Sequence, residues 1–232
     1  MPSKRTYGDA CRFAHALDLV GERWALLIVR ELLLGPKRFT DLRAGLPHAS
    51  PNILAERLRD LEGGAVVRKR KLPPPAASSV YELTEWGREL EPIVTKLGAW
   101  GARSPIPPSS REIGTDSIVL ALGSLFDREA AGDLEASYEL RIGAECFGVE
   151  IAGGELKLSR GAAADPSATI ALPDAPTLAA ILTGQLPFDE ALAAGAAEIE
   201  GGKRVAKRFL RLFPMPEPCV RETEPAAPAQ LS

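Results

Sequence analysis

Three polar side chains share one face of a short predicted helix and are of the types that can read the edges of DNA bases. Ser50 and Pro51 favour a helix start, because serine caps a helix and proline fits its first position. Asn52, Glu56 and Arg59 then fall together on a helical wheel, opposite a row of leucines. Asparagine, glutamate and arginine all hydrogen-bond base edges in a major groove. The same face taken alone is also typical of a solvated helix, so its surroundings decide between the two interpretations.

Cations stand on both sides of this helix. Lys37 and Arg38 precede it, and a run of four basic residues beginning at Arg68 follows it. We predict phosphate contacts from Lys37, Arg38, Ser50 and the basic run. Strand alternation sends the run to two faces, so we assign Arg68 and Arg70 to the nucleic-acid side. The alternative is a solvated edge strand whose charges prevent aggregation.

The elements around these residues predict a helix-turn-helix followed by a wing. A short helix at residues 40–44 precedes the turn Gly45-Leu46-Pro47, and the polar helix comes next. Residues 66–72 and 80–83 are predicted to pair as a β-ribbon, and residues 85–102 to form a further helix. In front of the unit, residues 10–20 and 22–34 are predicted helices, with Asp9 as the cap of the first.

Charge and composition divide the chain into two halves. Residues 1–104 carry a net charge of +5 and residues 105–232 a net charge of −8. Only the first half suits a polyanion. We predict a winged-helix domain at 1–104, a Ser- and Pro-rich linker at 105–112, a second domain at 113–213, and a disordered tail at 214–232.

The second half predicts a sheet with helices. A helix at residues 115–131 is followed by short strand-like segments with Gly-rich turns, which favour an antiparallel meander, and then by further helices. The predicted fold class of the whole chain is therefore α+β.

Several classes of protein are disfavoured. No run of about 18 apolar residues predicts a membrane helix, and no signal peptide is evident at the N-terminus, so we expect a cytoplasmic protein that is not bound to a membrane. Three widely spaced cysteines and two histidines predict neither a metal site nor a disulfide framework. Without a phosphate loop or a nucleophile motif, we expect no cofactor and no enzymatic activity.

The first hundred residues resemble the HxlR family of bacterial winged-helix transcription regulators. The resemblance rests on CRFAHALDLVGERW from Cys11, LIVREL from Leu27, RFTDL from Arg38, SPNIL from Ser50 and YELTEWG from Tyr81. It implies a homodimer that binds double-stranded DNA and is assembled through the first and last helices of the domain. One departure is Glu56, where the family often has glutamine.

The second half resembles sterol-carrier-protein-2-like domains, through YELRI from Tyr138, GELKL from Gly154, PSATI from Pro166, the segment Leu178 to Gly184, and FDEAL from Phe188. The resemblance implies a β-sheet covered by helices around an apolar tunnel, or else a scaffold and dimerisation module. The residues expected to line such a pocket are Phe126, Phe147, Val149, Leu178, Ile181, Leu182 and Phe188.

These observations predict a homodimeric transcription regulator, a repressor, that binds a near-palindromic operator and senses an apolar small molecule through its second domain. One alternative is an apolar-ligand carrier that uses the winged helix for dimerisation. Another is a regulator that senses oxidants or electrophiles through Cys11, a position at which several HxlR relatives carry a sensing thiol. Arg12 and a nearby helix N-terminus favour a lowered pKa for that thiol. A buried interface cysteine is the simpler interpretation.

Overall fold

The computed structural model describes residues 6–73, 78–106 and 112–219. Its first unit is a winged helix-turn-helix, as predicted. The elements are α1 (Arg12–Val20), α2 (Ala25–Leu33), α3 (Phe39–Gly45), α4 (Pro51–Gly63), β1 (Val67–Lys71), β2 (Ser79–Leu83), α5 (Glu85–Arg88) and α6 (Glu91–Ala102).

The core of this unit is built on α2. Ile28, Val29 and Leu32 are fully or almost fully buried and pack with the inward leucines of α3 and α4. An apolar helix of this kind must be covered on most sides, and α3, α4, α6 and the wing cover it. The two helices of the helix-turn-helix and the wing therefore pack on one shared core.

Several helix boundaries differ from the prediction. α1 begins at Arg12 with Cys11 at its N-cap, because the Asp9 carboxylate accepts a hydrogen bond from the Cys11 amide instead of capping a longer helix. α2 begins at Ala25, since Trp24 has a positive φ of 79°. The helix predicted over residues 85–102 is divided into α5 and α6, with Pro92 in the first turn of α6, where its missing N–H is tolerated.

The second unit places one five-stranded sheet against helices. Its elements are α7 (Thr115–Leu125), α8 (Arg128–Ala131), β3 (Ala136–Ile142), β4 (Glu145–Ala152), β5 (Glu155–Arg160), β6 (Ala168–Leu172), α9 (Ala175–Leu182), α10 (Phe188–Ala193), β7 (Glu198–Gly201) and α11 (Lys203–Leu210). The strand order is β5-β4-β3-β6-β7. One face carries the apolar side chains and packs against α7, α9 and α11, which confirms a sheet covered by helices.

The prediction of a purely antiparallel sheet is wrong. β6 pairs with β3 in parallel, with Tyr138 opposite Ala168. After β5 the chain crosses the polar face of the sheet, where the Ala163 amide donates to Glu139 Oε2. A Cβ at Gly148 would lie 2.9 Å from Ser159 Oγ on the neighbouring strand β5, and at an ordinary contact distance of 3.8 Å from Ala163. The alternation of apolar and polar residues predicts which residues form strands. It does not predict which edge of the sheet each strand joins, or in which direction.

The segment after α11 also departs from the prediction in part. Residues 214–219 carry no regular secondary structure, but they lie against the first unit, where the Cys219 amide donates to the Arg103 carbonyl at 2.8 Å. The remainder of the predicted tail, 220–232, and residues 107–111 of the predicted linker lie outside the described residues. Within the described part of the chain, no helix is long and apolar enough to cross a membrane.

Candidate nucleic-acid interface

The outer face of α4 is polar and exposed, as the sequence predicts. Ser50 caps the helix by accepting from the Ile53 amide at 3.3 Å. Asn52, Glu56 and Arg59 are exposed, while the leucines on the opposite side are buried in the core. Packing of the leucines thus fixes which side of α4 meets solvent, and that side carries hydrogen-bonding groups along its first turns.

Two residues of α4 were missed by the sequence analysis. Arg57 is mostly buried and donates to Glu56 Oε1 at 2.7 Å and to Asp60 Oδ2 at 2.6 Å. It thereby offsets the acid that departs from the family pattern. Ile53 is 40% exposed beside the polar face. An apolar side chain in that position can contact a thymine methyl group. The position of Ile53 on a helical wheel, beside the polar face, was the sequence signal that could have identified this residue.

In the wing, the buried carboxylate of Glu82 accepts hydrogen bonds from both arginines that were predicted to contact DNA. Glu82 accepts from Arg68 Nε at 2.7 Å and from Arg70 Nη2 at 2.9 Å. The hydrogen bond from Arg70, supported by Arg68, lowers the pKa of Glu82 although burial opposes the shift. Both arginines remain exposed, but together with Glu82 they present one net positive charge rather than two.

The other two cations of the basic run project from the opposite face of β1. Lys69 and Lys71 are exposed, and within the described residues neither has a carboxylate partner. Lys69 Nζ lies 5.6 Å from the centroid of the Tyr81 ring. Their charges are therefore less compensated than those of Arg68 and Arg70, the two residues of the run predicted to contact phosphate.

Lys37 does not lie on the predicted surface. Its side chain is only 13% exposed, and Nζ lies 2.6 Å from Glu31 Oε2 and 2.5 Å from Asp116 Oδ2. Asp116 belongs to α7 of the second unit, so Lys37 joins the two units. This geometry conflicts with a phosphate contact, and the prediction for Lys37 is corrected. The neighbouring Arg38 is exposed, and its backbone N–H donates to Asp41 Oδ2 at the start of α3.

Cys11 is exposed at the N-cap of α1 in the single chain, and its burial in a dimer interface stays a prediction. The backbone N–H groups of Ala14 and Phe13 stabilise its thiolate and so lower the pKa of the Cys11 thiol. The direction of the pKa shift and the predicted role of the helix N-terminus agree with the structure, whereas Arg12 does not contribute to the shift. By contrast, burial raises the pKa of the Cys146 thiol.

The residues predicted to line an apolar pocket do not share a cavity among the described residues. Phe147, Val149 and Leu178 are fully buried in the core between sheet and helices. Phe126 packs on Phe213, with ring centroids 6.1 Å apart. The others, Ile181, Leu182 and Phe188, are partly buried against the same core. A cavity of about 340 Å³ lies elsewhere, between α2, α6, α7 and α9, and of the predicted residues only Leu182 lines it.

Metal-ligating side chains are not brought together in the part of the chain that the structure describes. No group of three or more His, Cys, Asp or Glu residues there could hold a metal ion. The functional geometry consists of the exposed face of α4, the wing and the apolar surfaces around them.

A capped helix with a polar outer face, set beside a cationic β-ribbon, defines the winged helix-turn-helix class of nucleic-acid-binding domains. Residues 19–107 match the family model described as HxlR-like helix-turn-helix. The HTH-type transcriptional regulator YvaP of Bacillus subtilis is 40% identical over 98 residues, which is 42% of this chain and 90% of that protein. The chain belongs to the HxlR family of helix-turn-helix transcription regulators.

Another similar protein is the HTH-type transcriptional regulator YodB of Bacillus subtilis, 39% identical over 85 residues, which is 37% of this chain and 76% of that protein. The solved structure of its reduced form is 34% identical and has a TM-score of 0.38, covering 44% of this chain and all of that one. The second unit, residues 107–219, matches a model described as alkyl sulfatase C-terminal.

Proposed function

We propose that the protein is a homodimeric transcription regulator, a repressor, that binds a near-palindromic operator in duplex DNA and acts by binding rather than by catalysis. The observation that carries the proposal is the exposed face of α4 beside the wing. Asn52, Glu56 and Arg59 offer base-edge hydrogen bonds, and Ile53 offers an apolar contact.

Phosphate contacts belong to the residues around that face. Arg38 and Ser50 lie at the starts of α3 and α4, and Lys69 and Lys71 lie in the wing. Arg68 and Arg70 add to the same positive field from the other face of the ribbon. These contacts would set the register of α4 without reading sequence.

The proposed dimer rests on exposed apolar side chains of α1 and α6. Phe13 is 72% and Trp100 75% exposed, and Ile93 and Leu97 are also exposed on the Trp100 side of α6. Large apolar side chains exposed along one side of a helix favour an interaction surface there. A symmetric pair would place the two α4 helices about 34 Å apart, one helical turn of DNA.

The DNA proposal is tested with the purified protein and two duplexes, one from the region upstream of its own coding sequence and one of random sequence. We expect a preference for the former that weakens steeply with salt. Asn52→Ala should reduce the preference, whereas Lys157→Ala, an exposed change on β5, should not. Equal binding of both duplexes would contradict the operator. Tight apolar-ligand binding without any DNA binding at low salt would instead support a carrier.

The dimer is tested by light scattering during gel filtration. We expect twice the monomer mass for the protein and a shift toward monomer for Trp100→Ser, because serine removes the most exposed aromatic of the patch. Trp86→Ser, a change on the exposed α5, is the control. A monomeric wild-type protein at micromolar concentration would contradict the dimer.

For the second unit, we propose a sterol-carrier-like domain that senses an apolar small molecule. Support comes from its architecture, a sheet with one apolar face under α7, α9 and α11. Of the predicted pocket residues, Leu182 lines the cavity beside α6 and α7, and we take that cavity as the candidate site for the effector.

A second candidate signal is oxidation or alkylation of Cys11. Its exposure and its lowered thiol pKa favour it, because the thiolate is the reactive form. Structures of YodB include quinone-bound and diamide-treated forms of that protein. Cys11→Ser should abolish a response of DNA binding to diamide, whereas Cys219→Ser should preserve it. An unchanged response in Cys11→Ser would remove this candidate.

A further inference from the structure

The cavity between the two units is mainly apolar and of a size that suits a small molecule. Its walls come from α2, α6, α7 and α9 and from the segment after α11, and include Leu33, Val94, Ile113, Leu125 and Met215. A volume of about 340 Å³ lies within the range of sites that bind small organic ligands. The cavity contacts the DNA-binding unit directly, through Arg30 and Leu33 of α2 and Val94 of α6.

One charged side chain lines this apolar cavity. Arg30 of α2 is 24% exposed and donates to Glu31 Oε1 through Nη2 at 2.8 Å. Its Nε is buried and has no hydrogen-bond partner among the described residues. Leaving a buried donor without an acceptor is energetically unfavourable. A guanidinium with spare donors at an apolar wall therefore favours an incoming acceptor atom.

The charges behind Arg30 are already balanced. Glu31 pairs with Arg30 and Lys37, and Asp116 pairs with Lys37 and with Arg160. Arg160 also pairs with Glu145. An anionic ligand would add an uncompensated charge next to Glu31 in a region of low dielectric, whereas a neutral acceptor would not.

We propose that the cavity binds a small, mainly apolar molecule bearing one neutral carbonyl oxygen, such as a ketone or an ester, which accepts a hydrogen bond from Arg30. The site identifies the effector class for the proposed regulator, and its regulatory meaning rests on that proposed function. Binding itself does not depend on DNA.

The partners of Arg30 connect the cavity to both DNA-contacting parts. Glu31 lies against the end of α3, where a Cβ on Gly45 would come 2.3 Å from Glu31 Oε2. Lys37 exchanges two backbone hydrogen bonds with Tyr81 of the wing, at 3.0 and 2.8 Å. A ligand that draws Arg30 toward itself changes the Glu31–Lys37 arrangement, and with it the position of the wing relative to α4.

The ligand class is tested by calorimetry on the full-length protein with three probes of matched shape. Benzylacetone carries the neutral carbonyl, butylbenzene lacks a carbonyl acceptor, and hydrocinnamate has a carboxylate in place of the acetyl group. We expect benzylacetone to bind about tenfold more tightly than either of the others, the usual effect of one hydrogen bond. Absence of saturable benzylacetone binding, or tighter hydrocinnamate binding, overturns the proposal.

Variants locate the site. Arg30→Met should bring benzylacetone and butylbenzene to equal affinity, while Arg204→Met, an exposed change on α11, should keep the tenfold difference. Ala121→Phe fills the cavity from α7 and should abolish binding. Should that variant fail to fold, Thr183→Phe narrows the cavity from its exposed edge and should weaken binding at least tenfold. Normal binding by a folded filling variant, or a retained preference in Arg30→Met, overturns the proposal.

Regulation is tested separately by titrating operator DNA with and without benzylacetone. A changed affinity in the wild type and no change in Arg30→Met is the expected result. Ligand binding with no operator binding would reject the proposed function and leave the site standing. Operator binding that saturating benzylacetone leaves unaltered would reject the coupling.

Discussion

Glu82 is a buried acid on β2, opposite the cationic strand β1. Its buried carboxylate accepts from both Arg68 and Arg70, so it neutralises part of a strand that otherwise carries four adjacent cations. We expect Glu82→Gln to lower the free energy of unfolding by about 1–3 kcal/mol, because an amide cannot satisfy two guanidinium groups. Urea unfolding followed by circular dichroism measures the change. Exposed Glu89→Gln on the neighbouring segment is the control and should be nearly neutral.

The lowered pKa of Glu82 also predicts a pH dependence. A carboxyl with a lower pKa in the folded state contributes stability above its unfolded value, near 4.5, and loses it as pH falls through the folded value. The stability difference between wild type and Glu82→Gln should therefore be constant near neutral pH and shrink below about pH 4.5. A difference that stays constant down to pH 3 would contradict this assignment.

Cys11 and Cys146 should react with iodoacetamide in different pH ranges. The helix N-terminus lowers the pKa of the Cys11 thiol, and burial raises that of Cys146. Cys11 should therefore be alkylated rapidly at neutral pH, while Cys146 reacts slowly even at high pH. Peptide mass spectrometry after timed alkylation separates the two. Equal rates at pH 7 would show that the N-terminus of α1 does not activate the thiol.

Residue types and spacing were enough to predict the exposed face of α4 but not the partners of single cations. Lys37 is adjacent to the exposed Arg38, and sequence spacing predicts a phosphate contact for both. Its burial depends on Asp116, which comes from another domain and which no local pattern can locate. The same limitation applies to Arg68 and Arg70. Which face of β1 carries the uncompensated positive charge depends on Glu82, which lies opposite Arg68 on the other strand.

Among the elements, the wing should contribute to DNA affinity mainly through one face of β1. Lys69→Ala and Lys71→Ala should each weaken binding to any duplex and reduce the slope of log affinity against log salt by about 1. The reason is that their charges lack carboxylate partners among the described residues. Fluorescence anisotropy at several salt concentrations measures the slope. Lys157→Ala on β5 is matched in chemistry and should leave it unchanged; an unaltered slope in both wing variants would place the wing away from DNA.

α6 carries apolar residues on two sides, although the sequence pattern predicts a single apolar stripe. The stripe predicted for this helix could face either its own chain or a second copy. In the structure Ile93, Leu97 and Trp100 are exposed, whereas Val94 and Gly98 line the cavity toward α7. The helix therefore offers apolar residues on two sides. Sequence periodicity predicts the helix and its apolar content. Which apolar side of α6 packs inside the chain, and which side is exposed, depends on the position of α7.

For the molecule as a whole, the two units are joined by charge as well as by apolar packing. Lys37 of the DNA-binding unit and Asp116 of α7 are both largely buried, and α6 packs along α7 beside them. The charge asymmetry of the sequence indicated two domains with opposite net charge. It did not indicate that the contact between them would be a buried ion pair adjoining the wing.

Asp116→Asn should therefore loosen the wing although the change lies in the other domain. Lys37 and Arg160 would lose a shared carboxylate, at a cost of about 3 kcal/mol for a buried pair with remaining partners. Because Tyr81 N–H donates to the Lys37 carbonyl, that amide should exchange hydrogen faster in Asp116→Asn. Hydrogen exchange resolved at single amides measures the effect, with exposed Asp133→Asn as the control. Unchanged protection at Tyr81 alongside lowered global stability would show that the ion pair holds the domains together without acting on the wing.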